Sequence, residues 1–248
     1  MDAQPYYLAY EKRYKAVFEA GGEYWGHSPE DQELYNTLKE WVHDNNLVGK
    51  KVIEFACGEG ASGLILSELG CNYHGVDIAP SAVKKAKETL KIYPNARVDI
   101  LDMVKECVKE KYDAAIDSMG FHMLVTDEDR KLYLRNAFSS LKNNSPMLFY
   151  KESFRSNNNS DEIIKSPVSS YDEWLKITGA DYKTPLPRKV NMGNGDMEIM
   201  IPLVPARAND KEGYISEMQT AGFRVEKFIE MDSSDSIKYS ASIYVRKP

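Results

Sequence analysis

Val52-Ile53-Glu54-Phe55-Ala56-Cys57-Gly58-Glu59-Gly60-Ala61-Ser62-Gly63 joins a short apolar run to a glycine-punctuated turn and then to a helical pattern. The run from Val52 to Ala56 reads as a first strand, and Gly58 to Gly63 fits G-x-G-x-x-G in the strand–turn–helix setting that makes this pattern informative. A helix from about Ser62 to Leu69 stops at Gly70, and a second short strand, Tyr73 to Val76, ends at Asp77. Glycines let the backbone approach a nucleotide-like ligand, the helix N-terminus offers free N–H groups, and a carboxylate at the second strand tip can accept both ribose hydroxyls. These residues predict a cofactor that contains adenosine.

The same beat continues along the chain. Pro80 and Ser81 open a helix that carries Val83, Ala86 and Leu90 inward; Arg97–Leu101 and Tyr112–Asp117 are strands three and four. Thr126-Asp127-Glu128-Asp129 resembles a capping box, and the helix behind it should bury Leu134, Ala137, Phe138 and Leu141 before strand five, Met147–Tyr150. The alternation then lapses through Asn157-Asn158-Asn159, Pro167, Pro185, Pro187, Pro202 and Pro205, which marks residues 151–208 as an insertion. Within it, Tyr171–Thr178 suggests a short helix, and Lys189–Met192 and Met197–Ile201 flank a hairpin signal at Gly193-Asn194-Gly195-Asp196. A helix near Asp210–Ala221 and strands Phe223–Ile229 and Tyr239–Val245 close the chain. Too few residues separate these strands for a crossover helix, so they are expected to be antiparallel neighbours.

The predicted fold class is therefore α/β: a Rossmann-like, seven-stranded, mostly parallel sheet with helices on both faces and an antiparallel last strand pair. Residues 1–47, helical in pattern and rich in aromatics, are expected to form an N-terminal lid; residues 48–150 and 209–248 form the core, and the whole is one structural domain. With 42% apolar and 28% charged residues, a net charge of −6 and no apolar run near 18 residues, a membrane span and a dedicated nucleic-acid binder are both disfavoured. A small-molecule partner is expected instead. No leader is visible at Met1–Tyr6, so a cytoplasmic location is the default. Cys57, Cys71 and Cys107 form no C-x-x-C pair, the four histidines lack ligand spacing, and no metal is expected. The oligomeric state is not readable.

Glu54 separates two cofactor classes. A dinucleotide pyrophosphate would be repelled by a carboxylate beside the turn, whereas S-adenosylmethionine brings an ammonium and a sulfonium. At this point Val52–Gly60 resembles the first motif of the class I S-adenosylmethionine-dependent methyltransferases, with Ala56 standing in place of the first glycine. The resemblance continues through Gly75-Val76-Asp77, Leu101-Asp102-Met103 and the run from Tyr112 to Leu124. It implies a soluble enzyme that transfers a methyl group by in-line displacement to an oxygen or nitrogen of a small-molecule acceptor and leaves S-adenosylhomocysteine. The rivals are a nicotinamide-dependent oxidoreductase and a non-catalytic binder of the same cofactor.

On this reading the cofactor is held by Glu54, Ala56, Cys57, Gly58, Gly60, Asp77 and Ile78, with Asp102 and Met103 beside the adenine. Asp117 is the candidate contact for the ammonium of the cofactor or for a cationic substrate, and the lid aromatics Tyr14 and Trp25 cover the site. His122 follows strand four and is the candidate base, or else a positioning residue, since an unperturbed imidazole accepts a proton near neutral pH. Tyr24, His122, Tyr171, Arg188 and Arg207 are the candidate acceptor contacts, the arginines for an acidic group. Asp117-Ser118-Met119-Gly120 stands where nucleobase-amine methylating enzymes carry Asn/Asp-Pro-Pro-Tyr/Phe, which argues against a nucleic-acid acceptor.

Overall fold

Seven strands form the central sheet, in the order β3-β2-β1-β4-β5-β9-β8. They are β1 (Lys51–Phe55), β2 (Asn72–Asp77), β3 (Ala96–Ile100), β4 (Ala114–Ser118), β5 (Pro146–Ser153), β8 (Arg224–Met231) and β9 (Ser240–Arg246). The computed structural model describes residues 4–25, 28–156, 163–192, 195–231 and 239–248. β1 pairs in parallel with β2 and with β4, β2 with β3, and β4 with β5, while β9 runs antiparallel to both β5 and β8. The chain builds outward from β1 in one direction and restarts at β4 in the other. That reversal opens a crevice at the carboxyl ends of β1 and β4, the usual place for a ligand in such sheets.

Alternation along the strands divides the core. Ile53, Phe55, Met147 and Phe149 face one way, into a cluster with Tyr133, Leu134 and Ala137 of α5 (Asp127–Ser140) and Tyr214 and Met218 of α7 (Lys211–Thr220). Val52, Ala114, Ile116, Leu148 and Tyr150 face the other way, against α2 (Gln32–Asp44), α3 (Ala61–Glu68) and α4 (Pro80–Thr89). The expected cap of α5 forms: the Thr126 hydroxyl accepts the Asp129 N–H at 3.2 Å. Phe138 is only partly buried, lying edge-on to Phe223 with ring centroids 5.1 Å apart.

The N-terminal segment opens with a 3-10 turn, Tyr6–Leu8, that leads into α1 (Ala9–Glu19), and it ends in α2, whose Leu34, Leu38, Trp41 and Val42 join the core rather than the lid. In the insertion, α6 (Tyr171–Thr178) spans the expected residues, capped by the Ser170 hydroxyl, which accepts the Glu173 N–H, and ended by Gly179 in the left-handed region. The hairpin of β6 (Pro185–Asn191) and β7 (Asp196–Pro202) is longer than expected and forms its own two-stranded sheet. Pro185, Pro187 and Pro202 are tolerated because both strands are edges. Its turn at Gly193-Asn194 and the run Asn157–Asn159 lie outside the described residues. Val190 and Ile201 of the hairpin pack on Val17 of α1.

β5 also runs past its expected end at Tyr150, and a β-bulge explains why. Phe149 pairs with Ile243 and Glu152 with Ala241, so Tyr150 and Lys151 together oppose Ser242. Lys151 takes φ +53° and turns towards α2, where its Nζ lies 2.5 Å from Glu33. The extra residue reverses the parity of the strand and sends Glu152 to the face it would otherwise avoid. Among the described residues no helix is long and apolar enough to cross a membrane.

Candidate functional site

A pocket open to solvent on one side occupies the crevice at the carboxyl ends of β1 and β4, the place where such sheets bind their ligands. β1 and the turn after it contribute Glu54, Ala56, Cys57, Gly58 and Glu59, and α3 adds Ala61 and Ser62. The tips of β2 and β3 supply Asp77, Ile78, Asp102 and Met103, and the end of β4 supplies Ser118 and Met119. Met123 and Leu124 follow, and Tyr7, Tyr10, Tyr14 and Trp25 close the wall from the N-terminal segment.

The glycines of the fingerprint do different work. Gly58, at φ +51°, leaves room for the Tyr14 hydroxyl, which would lie 2.9 Å from a Cβ at that position. Gly60 is not part of the wall: it opens α3 at φ +86° and faces Ala86 and Leu90 of α4. Gly63 packs against the Tyr73 ring, whose nearest atom would lie 2.5 Å from an added Cβ. Ala56, where the resembled family has glycine, holds φ +52°, a left-handed conformation that costs an L-residue about 1 kcal/mol. Its methyl group has a compensating neighbour, since a Cβ on Gly120 would lie 2.6 Å from Ala56 Cβ and 2.8 Å from an Asp117 oxygen.

Among the described residues, four acidic side chains line the cavity and no Lys, Arg or His does so. Glu54 is 1% exposed and accepts the Tyr73 hydroxyl at 2.5 Å; burial lifts its pKa to about 8. Burial likewise lifts Glu59 to about 7 and Asp77 to about 6. Asp77 accepts the N–H of Gly58 at 2.9 Å and that of Ala79 at 2.8 Å, one on each oxygen, so each oxygen retains acceptor capacity. The Tyr7 hydroxyl bridges both oxygens of Asp102, at 3.0 and 3.1 Å. Glu59 accepts the backbone N–H of Trp25 and so ties the lid to the fingerprint turn.

Ten of the residues singled out from sequence are thus brought together on this wall: Tyr14, Trp25, Glu54, Ala56, Cys57, Gly58, Asp77, Ile78, Asp102 and Met103. Asp117 stands behind it, fully buried, and accepts the N–H groups of Gly120 and Phe121 and the Tyr133 hydroxyl. His122 is also behind the wall. Its Nδ1 and its backbone nitrogen each lie 2.8 Å from Glu152 Oε2, and burial lowers its pKa to about 4. The geometry that a general base on the cavity wall would need is absent in this conformation.

The acceptor candidates are scattered. Tyr24 lies beside Lys85, whose Nζ is 5.8 Å from the ring centroid, and Tyr171 stacks on Tyr6 at 4.7 Å. Arg207 is engaged by Asp127 at 2.5 Å and by the Val125 carbonyl at 3.0 Å, which closes the insertion onto the start of α5 and removes this arginine as a free anion contact. Arg188 is exposed on β6. Sequence reasoning missed Tyr7, Tyr10, Glu59, Ser62, Ser118 and Met119. For Tyr10 the available signal was its spacing from Tyr14 on one face of the first helix, and for Tyr7 its place one turn before Tyr10; for Glu59 it was its place inside the glycine turn.

Residues 52–144 match the family described as Methyltransferase domain. No curated protein matches the chain. Among solved structures, the magnesium protoporphyrin IX methyltransferase from Synechocystis with bound SAM is 14% identical, with a TM-score of 0.65 and 100% of both chains covered. An S-adenosylmethionine-dependent methyltransferase from Clostridium acetobutylicum is also 14% identical, with a TM-score of 0.62 over 97% of this chain and 98% of that one. A glycopeptide N-methyltransferase complexed with sinefungin, 14% identical, covers 86% of this chain and 94% of its own at a TM-score of 0.57. The chain thus has the fold of the S-adenosylmethionine-dependent methyltransferases, and its residues 52–144 match the methyltransferase-domain family.

Proposed function

We propose that this protein transfers a methyl group from S-adenosylmethionine to an oxygen or nitrogen of a small-molecule acceptor. The observation that carries this reading is the acidic wall of the cavity: among the described residues Glu54, Glu59, Asp77 and Asp102 line it and no cationic side chain does. Such a wall attracts a ligand bearing a sulfonium and an ammonium and repels a pyrophosphate. The residues fit the cofactor's chemistry. Asp77 has acceptor capacity left on both oxygens for two ribose hydroxyls, Asp102 and Met103 stand at the next strand tip for the adenine, and Tyr10, Tyr14 and Trp25 bring aromatic rings to the same wall.

When bound, S-adenosylmethionine supplies an electrophilic methyl group for in-line displacement. The protein's part is to bind, orient and exclude water, and alignment of the two partners carries much of the acceleration. Tyr7, Tyr10, Tyr14 and Trp25 cover the cavity from the lid side, and Met119, Met123 and Leu124 wall the side after β4. The N-terminal segment and the insertion act together as this cover, meeting where Val17 packs on Val190 and Ile201. His122, neutral at pH 7 and held by Glu152, positions the turn that supplies Met123 and Leu124.

Calorimetric titration with S-adenosylhomocysteine tests the reading. Wild type should bind with a dissociation constant on the order of micromolar, and Asp77→Ala should weaken binding about tenfold or more. NADH should not bind. No binding by wild type, or equal binding by Asp77→Ala, would overturn the assignment, and tight NADH binding would favour an oxidoreductase.

A further inference from the structure

The buried stripe of α1 is Tyr10, Arg13, Tyr14 and Val17, so a guanidinium occupies a position whose spacing belongs to the core. Arg13 is 5% exposed and its Cζ lies 3.2 Å from the centre of the Trp25 ring. Its Nε is buried without a hydrogen-bond partner, and among the described residues no carboxylate forms an ion pair with it. A second cation is nearby. Arg188 shares a face of β6 with Val190, two residues on, and Val190 packs on Val17, one helical turn beyond Arg13, with Trp25 against the same cluster. Burial first, and then the charge of Arg188, lower the Arg13 pKa to about 10.

Arg13 and Arg188 thus belong to the same contact between lid and insertion, near enough for the charge of one to disfavour the other, and among the described residues no carboxylate pairs with Arg13, an arrangement that is unfavourable as it stands. An oxyanion would remove both the repulsion and the orphaned donor, and the planar fork of arginine matches a carboxylate. Position speaks to the source of that anion. Trp25 lines the cofactor cavity whereas Arg13 does not, which sets the guanidinium apart from the space the cofactor's own carboxylate would fill. Arg188 is exposed on the hairpin, where a ligand in solution can reach it.

We propose that Arg13 and Arg188 together bind a carboxylate of the acceptor, so that the substrate is a small organic acid. This rests on the methyltransferase reading above and gives its acceptor a chemical class. The two halves of the site then have opposite signs: carboxylates for the cationic cofactor and arginines for the anionic acceptor.

The test uses acetate, benzoate and succinate, with acetamide and benzamide as neutral counterparts, titrated by calorimetry into the full chain with and without S-adenosylhomocysteine. At least one acid should bind saturably and about tenfold or more tighter than its amide. Arg13→Gln and, as a surface variant that spares the buried stripe, Arg188→Gln should each weaken the acid about tenfold or more while leaving S-adenosylhomocysteine affinity unchanged. Acid binding no tighter than amide binding, or unaltered in both variants, overturns the proposal. So does loss of S-adenosylhomocysteine affinity in Arg13→Gln with 5′-methylthioadenosine affinity retained, since the anion would then be the cofactor's own. Failure of wild type to bind S-adenosylhomocysteine would instead strike the methyltransferase reading, and titration of the free protein would still decide the anion site.

Discussion

Glu54→Gln should separate stability from cofactor binding. Burial lifts this carboxyl from 4.5 to about 8, so between those values the folded, empty protein keeps a proton that the unfolded chain has already released. The stability contributed by the group is fully present below the unfolded value and is lost as pH rises through the folded one. At about 1.4 kcal/mol per pKa unit, the wild type loses roughly 3 kcal/mol on this account between about pH 5 and about pH 8, and glutamine loses none. Urea unfolding of both proteins near each pH should therefore show a stability difference that moves by about 3 kcal/mol in favour of the variant as pH rises. Binding should change in the opposite sense. Without the Glu54 charge, affinity for S-adenosylmethionine near pH 8 should fall about tenfold. A pH-independent stability difference, or undiminished affinity, would refute the view that Glu54 is a desolvated carboxyl awaiting a cation.

Two further outcomes follow from local geometry. Ala56→Gly relieves the left-handed φ of +52° and should raise stability by about 0.5–1 kcal/mol in urea unfolding; destabilisation would mean that the methyl contact with Gly120 outweighs the backbone term. His122→Ala strips a buried partner from Glu152 and should cost about 1–3 kcal/mol while leaving the shape of the pH–rate profile unchanged; disappearance of a limb of that profile would restore His122 as the base.

Most of the sheet was legible because its signals are local. The fingerprint, Asp77 at a strand tip, the Thr126 cap and the closing antiparallel pair each rest on a few adjacent residues. What was hidden depends on contacts between distant segments. The prolines of β6 and β7 speak against a strand, yet an isolated hairpin has only edges to offer, so they fit. Glu152 escaped notice because a bulge at a lysine, with no glycine to mark it, carries β5 past Tyr150 and inverts its parity. Arg13 looked like any helical arginine until the stripe it shares with Tyr10, Tyr14 and Val17 was seen to be buried. Conversely, Gly60, Asp117 and His122 lie beside the fingerprint or strand four in sequence but pack behind the cavity wall rather than on it.

The most direct test of the central claim is a crystal structure with S-adenosylhomocysteine. The account predicts the ribose hydroxyls on Asp77, the adenine beside Asp102 and Met103, and the amino acid end near Glu54, under a lid closed by Tyr14 and Trp25. The ligand lying elsewhere, or its ribose away from Asp77, would contradict it.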